Sequence, residues 1–157
     1  MKTDRLLRSV LTAVDFSKQS STALQYAAAI VRRSNGRLIV LYVNEPLLMA
    51  GAAAAAYDAR KLTEDSRKQL QRFVERALDG SGLRLSSVTC LVKTGNPAAE
   101  IERAAQRAKC GLIVVGTHGI SGPGKLLFGS TTKRLLHLTK RPVLVIPPLR
   151  ARSRARS

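Results

Sequence analysis

The sequence predicts an α/β fold built on a five-stranded, mostly parallel sheet, open and doubly wound, with helices on both faces. Three observations carry this. Short apolar runs alternate with stretches of helical period in the order β-α-β-α-β-α-β-α-β, which belongs to a parallel sheet with crossover helices. The runs Leu38-Ile39-Val40-Leu41-Tyr42-Val43 and Leu112-Ile113-Val114-Val115 are too continuous for half-exposed strands, so both sides of the sheet must be covered. Breaker residues punctuate the pattern: Asn35-Gly36 before the second strand, Asn96-Pro97 before a helix, and prolines on both sides of Val143 to Ile146.

Taken in order, Leu6 to Val14 reads as the first strand, closed by Asp15. A helix from Ser20 to Arg33 follows, because Leu24, Ala27, Ala28 and Val31 fall on one face at 3.6-residue spacing. Asn35-Gly36 stops it, and the second strand is Leu38 to Val43. Residues 44–57, with Pro46 and an alanine tract from Ala52 to Ala56, read as a long mobile loop, or as a backward extension of the next helix. That helix runs from Asp58 to Asp79, with Leu70, Phe73, Val74 and Ala77 inward and Gly80-Ser81-Gly82 after it.

Leu85 to Val92 is expected as the third strand. Asn96-Pro97 then opens a helix, Asn as the cap and Pro at a position whose N–H would be unpaired anyway. Ile101, Ala104, Ala105 and Ala108 give that helix a small-residue inner face. Leu112 to Val115 is the fourth strand, Gly116 to Gly129 a glycine-rich loop, Ser130 to Lys140 a short helix, and Val143 to Ile146 the fifth strand. Residues 1–148 form one domain, and 149–157, reading LRARSRARS, form a basic disordered tail.

Composition narrows the function classes. The chain has 157 residues, 27 Lys+Arg against 10 Asp+Glu, and a formal charge of +17. After Glu102 no carboxylate side chain occurs at all, so the last third favours anions and cannot build its own Asp/Glu metal site. Two cysteines, Cys90 and Cys110, lie in or beside strands without CxxC or zinc spacing, and read as small core residues of a protein from a reducing compartment. No secretory signal or membrane span is visible, which makes cytoplasmic location the expectation.

In doubly wound sheets ligands sit beyond the carboxyl ends of the strands where the strand order reverses. Asp15 and the loop from Gly116 onward occupy those places. The loop reads Gly116-Thr117-His118-Gly119, nine residues, then Gly129-Ser130. Glycines let a phosphate come close to the backbone and allow positive φ, while Ser130, Thr131 and Thr132 set hydroxyls beside the unpaired N–H groups of a helix start. Lys125 adds a point charge. Gly119 to Lys125 matches the first positions of a Walker A loop, but Leu126 stands where the Mg²⁺-binding Ser/Thr is required, so that motif is rejected.

The Gly-x2-Gly-x9-Gly-Ser spacing at Gly116, Gly119, Gly129 and Ser130 resembles the signature of the ATP-binding branch of the universal stress protein family. Ala13-Val14-Asp15-Phe16-Ser17, Leu41-Tyr42-Val43, Gly95-Asn96-Pro97 and Arg141-Pro142-Val143-Leu144-Val145-Ile146 are similar to other segments of that family, so the resemblance spans about residues 3–148. It implies a Rossmann-like sheet of the adenine nucleotide alpha hydrolase type and an ATP-binding stress-response regulator, homodimeric through the last strand. By position it implies that Asp15 holds the ribose or adenine side and that Ala13 and Val43 line the adenine pocket. It further implies that Val115, Gly116, His118 and Gly119 meet ribose and phosphates, while Gly129, Ser130 and Thr132 take phosphate oxygens. Magnesium would be carried by the triphosphate. Thr131 and Ala13 depart from the family's usual small apolar residue and proline, without removing a phosphate donor.

Two other functions compete with this expectation. A slow ATPase or phosphoryl-transfer enzyme on this fold lacks a visible base, and an Asp15–His118–Ser130 triad lacks the nucleophile elbow such a serine needs. A polyanion- or nucleic-acid-binding protein gains from the basic C-terminal part and from Arg150, Arg152, Arg154 and Arg156, though few aromatics are available for stacking. His137, between Leu136 and Leu138, reads as packed or half exposed.

Overall fold

The computed structural model describes residues 6–47, 50–51, 58–117 and 128–148. Five strands, β1 (Ser9–Ala13), β2 (Arg37–Asn44), β3 (Val88–Thr94), β4 (Leu112–Gly116) and β5 (Val143–Ile146), form one sheet in the order β3-β2-β1-β4-β5. Every neighbouring pair is parallel, with registers such as Leu11 beside Ile39 and Ile113. Four helices lying wholly within the described residues cover it: α1 (Lys18–Ser34), α2 (Ala59–Leu78), α3 (Pro97–Arg107) and α4 (Ser130–Leu138).

The helix faces read from spacing are the buried ones. Leu24, Ala27, Ala28 and Val31 of α1 join Leu70, Phe73, Val74 and Ala77 of α2 in one apolar layer, against Val10, Leu38, Val40 and Val114 of the sheet. On the other side Ile101, Ala104 and Ala105 of α3 and Leu135 of α4 pack on Leu11, Ile39, Leu41 and Ile113. Side chains alternate sides along each strand, so Leu38 and Val40 face one layer and Ile39 and Leu41 the other. Burial on both sides is why these strands carry no polar alternation.

Two strand starts differ from expectation by three residues, and the other boundaries by at most two. β1 begins at Ser9 rather than Leu6, because residues 6–8 press against two glycines: a Cβ on Gly36 would lie 2.6 Å from the Arg8 carbonyl oxygen, and one on Gly111 would collide with the Leu6 carbonyl. The third strand begins at Val88, not Leu85. Leu85–Ser87 form a 3-10 turn closed by Ser87, whose N–H and Oγ both donate to the Arg84 carbonyl, and Leu85 is left exposed.

Helix starts follow the capping chemistry. Ser17 accepts from the Ser20 N–H, Asp58 from the Arg60 N–H and Asn96 from the Ala99 N–H, with Pro97 opening α3 as expected. Cys110 is buried and Cys90 partly so, and burial pushes both thiols above their ordinary range. His137 is exposed on α4. No helix among the described residues is long and apolar enough to cross a membrane. The expected loop at 44–57 is described only at residues 44–47 and 50–51, and the basic tail, 149–157, lies outside the described residues.

Candidate functional site

The strand order reverses at β1, which leads through α1 to β2 on one side, while β4 leads through α4 to β5 on the other. A crevice therefore opens beyond the carboxyl ends of β1 and β4. Asp15 lies on its β1 side, half buried. Its Oδ1 accepts the Ser17 N–H at 3.0 Å, and its own N–H donates to Ser20 Oγ at 3.3 Å. The second carboxylate oxygen carries no protein hydrogen bond among the described residues and is available to a ligand.

Between Asp15 and Ser17 the backbone turns through Phe16 at φ 65°, a left-handed conformation that an aromatic residue adopts at a cost. Packing holds it there: the Phe16 ring stacks 4.4 Å from Tyr42 and meets Phe73 edge-on at 5.4 Å. Burial, and then the nearby carboxylates Glu45 and Asp15, raise the Tyr42 phenol above its ordinary range.

Ala13 and Val43 stand half buried at the ends of adjacent strands, and both pack on the layer formed with α3 and α4. The next residue, Asn44, is fully buried. Its Oδ1 accepts from Ser66 Oγ of α2 at 3.1 Å, and its carbonyl accepts the Gly95 N–H at 3.0 Å.

On the β4 side Val115 is buried and Gly116 half buried. The Thr117 N–H donates to the Ile146 carbonyl at 3.0 Å, and the Gly129 N–H donates to the Thr117 carbonyl at 2.7 Å, which draws the start of α4 onto the end of β4. Gly129 is the N-cap residue, with φ −60° and ψ 162°. This conformation suits any residue, so the glycine matters here for lacking a side chain and not for positive φ.

α4 differs from the other three helices in having no side-chain cap. Its first internal bond is Lys133 N–H to the Gly129 carbonyl, leaving the N–H groups of Ser130 and Thr131 without a protein acceptor among the described residues. The positive end of the helix dipole adds to them, a suitable place for an anion. Thr132, which the resemblance places at the phosphates, has a buried side chain whose hydroxyl donates to the Gly116 carbonyl at 3.0 Å, so that proton joins α4 to the end of β4.

The structure thus brings Ala13, Asp15, Val43, Val115, Gly116, Gly129, Ser130 and Thr131 to one edge of the sheet. His118, Gly119 and Lys125 lie outside the described residues. Among the described residues no group of three or more His, Cys, Asp or Glu side chains could hold a metal ion. The Phe16 stack, the Asn44–Ser66 bond and the Thr132 brace had no sequence signal: each depends on a partner brought near by the fold.

The family model for universal stress proteins matches residues 7–147. Universal stress protein A homolog 2 of Coxiella burnetii is 30% identical over 144 residues, covering 88% of this chain and 94% of that protein. Among solved structures, MJ0577 of Methanocaldococcus jannaschii superposes with a TM-score of 0.76 at 23% identity, covering 93% of this chain and 99% of that one. A universal stress protein in complex with cAMP gives 0.64 at 24% identity, covering 89% and 96%. With nearly the whole described domain matched by the family model and the parallel sheet shared with these structures, the chain belongs to the universal stress protein family.

Proposed function

We propose that this protein is an ATP-binding stress-response regulator, with the nucleotide in the crevice between the ends of β1 and β4 and its occupancy acting as the signal. The observation that carries the reading is the uncapped start of α4 held against the end of β4, with Asp15, whose second carboxylate oxygen is unused among the described residues, at the end of the adjacent β1. A relative of the same fold bound to cAMP supports an adenine nucleotide.

The residues divide the ligand by chemistry. Asp15 accepts from a ribose hydroxyl through the oxygen that Ser17 leaves unused. Ala13 and Val43 give the adenine ring apolar strand ends. The backbone at Val115 and Gly116 faces the sugar and first phosphates, with His118 and Gly119 assigned by resemblance alone. Gly129, lacking a side chain, lets phosphate oxygens reach the N–H groups of Ser130 and Thr131 and the Ser130 hydroxyl. Bound ATP supplies a concentrated negative charge that these donors offset, and its own oxygens carry the magnesium. Asp15 is the one carboxylate at the ends of β1 and β4 among the described residues, which favours retention over rapid turnover. The protein acts in the cytoplasm as a homodimer joined through Val143–Ile146, and ATP shifts the regulator only as far as its affinity differs between two states.

Calorimetric titration with Mg-ATP, with tripolyphosphate as a charge-matched control, tests this reading. Saturable 1:1 binding of ATP, absent for tripolyphosphate and lost in Gly129→Val, is expected. Equal, salt-sensitive binding of both ligands would replace the nucleotide pocket with general anion attraction. Phosphate release that is fast in the native chain and abolished in Asp15→Ala would replace the regulator with an ATPase.

A further inference from the structure

Cations outnumber carboxylates most strongly at one edge of the sheet. Among the described residues, the carboxylates Asp15, Glu45, Asp58 and Glu100 sit where strands end or where the following helices begin, mixed there with Lys18, Arg60, Lys61 and Lys93, while the strand-start edge holds Asp79 and the paired Glu102. The opposite edge, where strands start, is cationic. Arg8 immediately precedes β1, Arg37 opens β2, Arg107 ends α3, Lys109 lies between α3 and β4, and Lys140 precedes β5.

These residues come from four strands adjacent in the order β2-β1-β4-β5, and hydrogen bonds tie their segments together. The Arg37 N–H donates to the Arg8 carbonyl at 2.9 Å, and the Gly111 N–H to the Ser9 carbonyl at 2.9 Å. The Arg37 guanidinium reaches the Ala108 carbonyl at 2.6 Å, and Arg141 Nε reaches the Cys110 carbonyl at 3.2 Å. At about 4.8 Å between neighbouring strands, the row is roughly 14 Å long.

Ordinary structural roles account for part of it. Arg107 offsets the carbonyl end of α3, and Arg141 is neutralised by Glu102. Arg37 bonds only neutral oxygens and keeps its full charge. Arg8, Lys109 and Lys140 are exposed and make no ion pair among the described residues. Cations in excess of what the fold needs are therefore arranged along a line.

We propose that this edge is a second binding surface, taking the phosphate backbone of nucleic acid without sequence preference, on the side of the sheet opposite the nucleotide crevice. A line of cations matches a linear polyanion better than a lipid surface, which asks for apolar anchors spread around the charges. The described aromatic cluster of Phe16, Tyr42 and Phe73 lies at the other edge, so binding here rests on phosphates and falls steeply with salt. The net charge of +17 speeds the encounter.

The test is fluorescence anisotropy of a labelled mixed-sequence DNA duplex with the full chain, set against a variant carrying Arg8→Glu, Lys109→Glu and Lys140→Glu. A control carrying Arg60→Glu, Arg67→Glu and Arg72→Glu makes the same charge change on α2. The edge variant is expected to bind at least about tenfold more weakly near physiological salt, and to flatten the plot of log K against log salt by about 2 to 3 units. The control stays within about threefold of the native chain. Glutamine replacements at the same three edge positions repeat the test without charge reversal, and Mg-ATP titration of each variant reads the crevice separately. Equal losses in edge and control variants would overturn the proposal in favour of net charge alone. Loss only on removing residues 149–157 would move the site to the tail, and tighter binding to anionic vesicles than to the duplex would make the surface a membrane one.

Discussion

The Thr132 hydroxyl donates to the Gly116 carbonyl at 3.0 Å, across sixteen residues, and so joins the first turn of α4 to the last residue of β4. With the Gly129 N–H on the Thr117 carbonyl it makes two bonds across the same junction. These bonds fix the start of α4, with the N–H groups of Ser130 and Thr131, against the end of β4.

Thr132→Val keeps the shape and removes the donor. It is expected to lower stability by about 1–2 kcal/mol, because the half-buried Gly116 carbonyl loses this partner. If the brace orients the helix start, Mg-ATP affinity falls as well, and Thr132→Ser restores both. Denaturant titration and calorimetry on the three proteins check this; a Val variant less stable but unchanged in affinity would reduce Thr132 to a packing residue.

Phe16 stores strain that its rings repay. Phe16→Ala keeps the left-handed turn and discards the stack on Tyr42 and Phe73, for an expected loss of about 2 kcal/mol at this half-buried position. Phe16→Gly loses the same stack but accepts positive φ freely, and should be more stable than the alanine variant by about 1 kcal/mol. Urea unfolding of both gives the difference, and an alanine variant as stable as the glycine one would mean the turn relaxes.

Much of the fold was legible because its causes are local. The burial of Leu24, Ala27, Ala28 and Val31 follows from spacing, the Asn96-Pro97 helix start from capping chemistry, and the continuous β2 run from burial on both sides. What was hidden depends on contacts distant in sequence. Leu6 and Leu7 look like strand residues, yet the chain reaches Ser9 before β1 begins because Gly36 and Gly111 bring other backbone segments against residues 6–8. Thr132 looks like its neighbours Ser130 and Thr131 until the end of β4 supplies an acceptor for its hydroxyl.

Asn44 and Ser66 join β2 to α2 inside the protein, where Asn44 is 0% exposed and its side-chain nitrogen has no partner among the described residues. Ser66→Ala would leave Oδ1 unsatisfied too, at an expected cost of about 1–3 kcal/mol. A double-mutant cycle with Asn44→Ala should return a coupling of about 1 kcal/mol, and additive losses would show that the bond contributes nothing beyond each residue's packing.

The two thiols and the Tyr42 phenol all ionise less readily in the folded chain, chiefly because burial disfavours their charged forms. A raised folded pKa means that stability is complete below the ordinary value and is lost as pH rises through the folded one. The unfolded chain gives up its thiol protons near 9.0 and its phenol proton near 10.0 while the folded chain keeps them. Stability should therefore decline from about pH 9 upward, and Cys90→Ala/Cys110→Ala should flatten the first part of that decline. Urea midpoints at pH 8 and above measure it; an unchanged slope in the double variant would assign the decline to other groups.

The dimer reading makes a sharper demand on β5. This strand pairs with β4 on one side and forms the outer edge of the sheet, with Leu144 36% exposed and Leu136 and Leu138 of α4 exposed as well. An apolar edge strand is an aggregation hazard unless another chain covers it. Pairing with a second copy would cover that edge and bury Leu144 together. Leu144→Arg is then expected to convert a dimer to a monomer by light scattering, and the native melting temperature should rise with protein concentration where the variant's does not. If the variant keeps the dimer mass, the interface lies elsewhere, and the exposed edge of β5 must be protected by another part of the chain.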